Sequence, residues 1–191
     1  AIGKYNTISG TTNSWIETDP LFVAGNGTSS DAPSNALVLY KNGNMEISGK
    51  VGIAKITPVA QLEVGGTDGV LFSGTFGSGT IPATGAGTRV MWYPGKAAFR
   101  AGNVDGTEWD DANIGGYSFA SGQGTIASGS YSTAMGMSTR AIESFSTAIG
   151  AYSTASGNLS TAIGYNSIAS GVNSFTLGNN VSTNGQYGSF A

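Results

Sequence analysis

The chain has no cysteine and no histidine, and among its 191 residues only 8 are basic and 11 acidic. Without those two residue types there is no Ser-His-Asp or Cys-His nucleophile, no His or Cys zinc site and no disulfide framework. A net charge of −3 leaves no basic stripe for nucleic acid and no basic tract for a membrane surface. No apolar run approaches the roughly 18 residues that span a bilayer, and the first residues lack the charged and apolar regions of a secretory signal. Large apolar residues are also scarce: Leu, Ile, Val and Phe together number 38 of 191. That share sits at the edge of what a conventional core needs. Disordered chains this poor in hydrophobes are usually held open by charge, and this one is nearly neutral. Order must therefore come from regular backbone pairing. What the chain does have is glycine, 31 residues of 191, about twice the usual level.

Charge is spread unevenly. Residues 112–191 carry only Arg140 and Glu143, so composition marks a boundary after Asp111. Upstream, short apolar or alternating runs (Leu21 to Ala24, Ala36 to Tyr40, Met45 to Ile47, Gln61 to Val64, Arg89 to Tyr93) separated by Gly and Pro turns predict strands. No segment sustains an i, i+3, i+4 apolar stripe, and the glycine content makes long helices costly.

The second half repeats. Gly falls at 122, 129, 136, 150, 157, 164, 171, 178 and 185, every seven residues with one lapse at Glu143. Ala stands two residues before most of these glycines, and Ser or Thr four before. A five-residue alternation closed by Gly predicts a short strand and a turn, not a coiled-coil heptad, whose core positions would be large and apolar. The residue just before each Gly shows a longer period. It reads Ser121, Met135, Ile149, Ile163, Leu177 in one phase and Ser128, Ile142, Ser156, Ser170, Asn184 in the other. The true repeat is fourteen residues, two strands per coil, around a thin interior of Ser, Ala and Gly. The opposite faces point outward, one polar and one apolar. The outward apolar stripe requires a cover, and a second copy of the chain supplies one, which predicts a homo-oligomer with Met135, Ile149, Ile163 and Leu177 at the shared axis. The coils from Gly122 to Gly185 would stack to roughly 22 Å at about 4.8 Å per strand.

The run Ser146-Thr-Ala-Ile-Gly150, Ser153-Thr-Ala-Ser-Gly157, Ser160-Thr-Ala-Ile-Gly164 and Ser167-Ile-Ala-Ser-Gly171 resembles the YadA-like head repeats of trimeric autotransporter adhesins over residues 115–185. The resemblance implies an all-β, left-handed parallel β-roll of 14-residue coils assembled as a homotrimer. Glu143 in place of Gly, Ile142 on the polar wall, Ser121 on the apolar wall and a decayed last unit depart from the pattern. Ala1-Ile-Gly3 and Gly10 keep the seven-residue spacing, which predicts that residues 1–10 are the tail of a preceding roll. Asn42-Gly-Asn-Met-Glu-Ile-Ser-Gly-Lys-Val-Gly-Ile53, with Thr57-Pro58 and Ala60-Gln-Leu-Glu-Val64, is similar to shaft segments of phage tail fibres and bacterial surface fibres. Residues 11–111 are accordingly expected to form a mixed β neck or shaft, and 112–191 the head.

Candidate sites have plainer rivals. Asn103-Val-Asp105-Gly-Thr-Glu108-Trp-Asp110-Asp111 gathers four carboxylates, yet an EF-hand loop needs Gly sixth and a bidentate Glu twelfth, whereas Gly106 is fourth. A glycosidase needs two acids facing across a sugar, which neighbours in a turn, or Glu17 and Asp19, do not supply. The connector reading is preferred. Gly25-Asn-Gly27 and Gly85-Ala-Gly87 lack the third Gly of a phosphate loop and read as turns. Met91-Trp-Tyr93 beside Pro94-Gly95 reads as a small core rather than a sugar platform. Tyr131, Phe145, Tyr152 and Tyr165 lie in the spacers where the wall turns, as ligand surface or as edge shielding. Thr133, Thr147, Thr154 and Thr161 suggest ice adsorption, but alternate ones share the wall assigned to the axis, which spoils a flat exposed array.

These readings predict a non-enzymatic, adhesive module of an extracellular trimeric fibre at a cell surface, without cofactor or metal. Its partners would be surface glycans or matrix proteins bound by multivalent contacts, with no nucleic acid and no membrane insertion. The alternative is a receptor-binding tail-fibre module of a phage or contractile injection system, with a polysaccharide-cleaving tailspike as the enzymatic rival.

Overall fold

The computed structural model describes residues 1–11 and 13–191. Four of the five runs read as strands upstream of the repeats lie wholly in a strand, the fifth doing so from Leu62 on, and the chain divides into two compact units, Ala1–Leu71 and Phe72–Ala191.

In the first unit, β1 (Ile2–Lys4), β2 (Pro20–Asn26), β3 (Asn35–Tyr40) and β4 (Met45–Ile47) form a mixed sheet in that order, with β1 parallel to β2 and the other pairs antiparallel. Asn42-Gly43 makes the β3–β4 turn: Gly43 has φ +85°, and the Asn42 side chain accepts the Asn44 N–H at 2.9 Å. Val23 and Val38, paired across β2 and β3, are its buried apolar centre. A parallel pair, β5 (Val51–Ile53) and β6 (Leu62–Val64), follows.

The second unit begins with an antiparallel hairpin, β7 (Gly87–Tyr93) and β8 (Ala98–Val104). Strand β8 pairs in parallel with β9 (Phe119–Gln123), so the hairpin belongs to the sheet of the roll. The step in composition after Asp111 therefore does not coincide with the break in contacts at Leu71. Charge stops where the repeats start, but the sheet's backbone bonds cross that point. From β9 on, long and two-residue strands alternate: β10 (Ile126–Ala127), β11 (Thr133–Met137), β12 (Arg140–Ala141), β13 (Thr147–Ala151), β14 (Thr154–Ala155), β15 (Thr161–Tyr165), β16 (Ile168–Ala169) and β17 (Phe175–Asn179). The long strands build a wide parallel wall, and the short ones build a narrow parallel wall of order β10-β12-β14-β16. Partners in register are fourteen residues apart, as Thr133↔Thr147 and Arg140↔Thr154 show.

Between the walls lies a core of alanine. Ala120, Ala127, Ala134, Ala141, Ala148, Ala155, Ala162 and Ala169 are fully buried and form one cluster. The inward Ser column needs partners in this dry interior and finds them in turn carbonyls: Ser132 Oγ donates to Gly129 O and Ser146 Oγ to Glu143 O, both at 2.6 Å. The glycines have two different reasons to be there. In the column of Gly122, Gly136 and Gly150 the backbone is left-handed, at φ about +115°, and a Cβ would also collide with the next coil's glycine carbonyl. In the column of Gly115, Gly129 and Gly157 the backbone φ is not left-handed, and only the close stacking of turns excludes a Cβ. Glu143 occupies that second column, so its lapse carries no left-handed strain. Among the described residues it forms no ion pair with Arg140. The last unit decays by a one-residue slip, because Gly171 stacks on Gln186 instead of Gly185.

Candidate binding surfaces of the roll

The alternation that buries Ala134 and Ala148 turns Met135 and Ile149 outward. Parallel register then lines up Ser121, Met135, Ile149, Ile163 and Leu177 as one column on the wide wall. Met135 and Leu177 are 38% and 55% exposed, while Ile149 and Ile163 are half-buried by their neighbours. The column continues where the repeat pattern is absent: Ala101 pairs with Ser121, and Val90, 74% exposed, pairs with Ala101. An adjoining column on the same face runs Trp92, Phe99, Phe119, Thr133, Thr147, Thr161, Phe175, with Phe99 and Phe119 stacked at 5.6 Å. Val90, Trp92 and Phe99 escape a repeat-based reading because β8 carries no Ser-x-Ala-y-Gly unit. Only its pairing with β9 places the hairpin on this face.

The spacer aromatics divide between two corners. Tyr131 and Phe145 stand in one corner column with Tyr117, and Phe76 caps it; successive ring centroids are 4.7, 4.7 and 4.9 Å apart and nearly parallel. Tyr117, Tyr131 and Phe145 adopt left-handed φ near +59°, a conformation L-residues pay for. Each rung is held by a backbone bond to the coil before, as in Phe145 N–H to Ser130 O at 2.8 Å. Stacking covers both ring faces of Tyr117 and Tyr131 and one of Phe145, so this column presents mainly edges and hydroxyls to solvent. Tyr117 was legible, being fourteen residues before Tyr131; Phe76 lies outside the repeat and was not. Tyr152 and Tyr165 meet at the other corner edge-to-face, centroids 5.7 Å apart, both exposed. Below them Asn166 donates to Asn180 at 2.7 Å along that corner. The structure thus brings the four residues together only as two pairs.

The carboxylates of 103–111 act separately. Glu108 accepts the Gly106 N–H at 2.9 Å and Asp110 the Gly85 N–H at 2.6 Å. Asp111 bonds Lys96 Nζ and the Tyr93 hydroxyl, each at 3.0 Å. Those two partners, Lys96 first, hold the Asp111 carboxyl below the usual range, and the bond to Asp111 raises the Tyr93 phenol. Trp109, fully buried, donates to Thr125 O at 2.9 Å, and Met91 and Tyr93 join it in a core cluster at the mouth of the roll. Among the described residues, no group of three or more acidic side chains is placed to hold a metal ion. Also among them, no helix is long and apolar enough to cross a membrane.

The model of the YadA head domain repeat matches residues 114–139, 141–167 and 155–180. No curated protein and no solved structure matches the chain. The matched segments are the coils whose register, alanine core and turn glycines are described above, so residues 114–180 of the chain carry YadA head domain repeats.

Proposed function

We propose that the chain is an adhesive module of an extracellular homotrimeric fibre, which holds surface glycans or matrix proteins through shallow contacts repeated on three subunits. The outward apolar column on the wide wall carries the reading. Met135, Ile149, Ile163 and Leu177 form an uninterrupted stripe on a solenoid too thin to cover it, and two further copies turned about a three-fold axis would bury all three stripes together. With that wall at the axis, the corners become the ligand-facing surface: Tyr131 and Phe145 offer edges, and Tyr152 and Tyr165 leave ring area open for stacking on sugar or apolar side chains. In the same reading residues 11–111 serve as neck or shaft. Residues 1–10 close a preceding roll, since Ala1-Ile-Gly3-Lys4-Tyr5 repeats the frame of Ala148-Ile-Gly150-Ala151-Tyr152 and Tyr5 shares the left-handed φ of Tyr152.

The test is binding of the wild type and of a Tyr131→Ser, Phe145→Ser, Tyr152→Ser, Tyr165→Ser variant to glycan and matrix-protein arrays, beside a reducing-sugar assay. Loss of matrix-protein binding in the variant with no sugar release is the expected outcome. Equal binding removes the corners from the mechanism, and sugar release that depends on Glu108 or Asp110 makes the module an enzyme.

A further inference from the structure

The first unit holds a groove of about 540 Å³ that no feature of the roll explains. Its floor is Val38 and Pro20, and its walls include Thr7, Asn26, Tyr40, Glu46 and Ser48. The sheet register puts these groups on one side: Glu46 pairs with Val38 across β3 and β4, and Tyr40 lies two residues along from Val38. Asn35 ties the segment after β1 across the rim, accepting the Thr7 N–H at 2.9 Å and donating to Thr7 O at 2.8 Å. Two side chains have their orientation set and keep capacity to spare. The Tyr40 hydroxyl donates to Glu46 Oε2 at 2.8 Å, which leaves Oε1 as an acceptor, and Asn26 Oδ1 accepts from Ser34 Oγ at 2.6 Å, which leaves the Asn26 amide as a donor.

We infer that this groove is a binding site for a neutral oligosaccharide. Among the described residues no basic side chain lines it, so a sialylated or phosphorylated ligand would find no counter-charge beside Glu46. Lys41, next to Tyr40 in the chain, faces a neighbouring cavity and pairs with Asp19 at 3.3 Å. One carboxylate alone is a poor cation site, since hard cations collect six or more oxygens. What remains is a polyhydroxylated, uncharged ligand: Glu46 accepts from vicinal hydroxyls, the Asn26 amide donates to a ring or hydroxyl oxygen, and Tyr40 lies against the ring. The volume falls within the range of small-ligand sites. The site stands independently of the corner residues of the roll.

The full chain is assayed on an array of neutral and sialylated oligosaccharides, with Glu46→Gln, Ser48→Trp and the quadruple corner variant alongside. Neutral glycans should bind in preference to their sialylated forms. Glu46→Gln, which keeps the shape, should weaken binding at least about tenfold, the effect expected for weakening hydrogen bonds to a charged acceptor. Ser48→Trp, which fills the groove, should abolish it, and the corner variant should retain it. Thermal melting confirms that each variant is folded. Absence of neutral-glycan binding by the wild type, or binding that survives both groove substitutions, overturns the site. Neutral-glycan binding lost only in the corner variant overturns the groove and leaves the corner reading standing; neutral-glycan binding lost only in the groove variants supports the groove, and the corner reading is then decided by the matrix-protein array.

Discussion

Arg100 stands in register with Ala120 and fills, from the first strand of the parallel stack, the interior that every later coil fills with alanine. It is fully buried. Its guanidinium spans the two walls, donating to Ser118 O at 3.0 Å and Ser118 Oγ at 2.8 Å on one side and to Ala127 O at 3.1 Å on the other. Among the described residues no carboxylate pairs with it, and burial alone pushes its pKa down to about 10. With Trp109 it closes the mouth of the roll with large side chains where no preceding coil is available to do so.

Arg100→Ala should therefore empty the mouth and remove the guanidinium's bonds to Ser118 and Ala127, at a cost of about 2–5 kcal/mol, the range of large-to-small core substitutions. Arg100→Met, which keeps most of the volume and removes the buried charge, should cost less. Denaturant titration of the two variants checks the order.

Ile149→Asp with Ile163→Asp would place like charges side by side on the stripe assigned to the trimer axis, where burial makes an unpaired charge costly. The variant should elute as a monomer while the wild type is a trimer, as read by light scattering after size exclusion. A wild-type monomer, or a trimeric variant, overturns the assigned axis.

Glu143→Gly restores the turn column of Gly129 and Gly157. Both of those residues donate their N–H to the same carbonyl as the residue before them, Ala141 O at 3.4 Å and Ala169 O at 3.2 Å respectively, where the turn packs on the next coil. Removing the Cβ from the crowded stack should leave the melting temperature unchanged or raise it by a few degrees, against an entropic cost of about 0.5–1 kcal/mol for the added glycine. A marked fall in melting temperature would assign Glu143 a role of its own.

Asp19 accepts the Thr11 N–H at 2.9 Å and pairs with Lys41. The Thr11 bond first, and Lys41 after it, hold its carboxyl below the ordinary 3.8. A depressed folded value means that the unfolded chain takes up the proton first. The contribution of Asp19 is thus complete above about pH 5 and is lost as pH falls below 3.8 through the folded value. Asp19→Asn should lower stability at neutral pH and flatten the acid limb of a melting-temperature profile between about pH 5 and 2.

The roll was legible because its constraint is local and repeated. A strand pair with tight corners and a thin interior admits only small residues inside, so Ser, Ala and Gly recur at fixed spacing, and the outward column of Met135, Ile149, Ile163 and Leu177 follows from alternation alone. The reason behind each glycine was not legible. Gly150 and Gly157 look alike in the repeat, yet only the structure shows that one needs a left-handed backbone and the other only the absence of a Cβ. Spacing puts Tyr131 and Tyr152, twenty-one residues apart, in opposite phases of the fourteen-residue repeat, but it could not reveal that Phe76 caps one corner or that Tyr165 meets Tyr152 edge-to-face at the other. The hairpin Gly87–Val104 and the groove at Tyr40 and Glu46 depend on pairings between segments that share no repeat. Those long-range contacts leave no periodic mark in the sequence, and only the tertiary structure decided them.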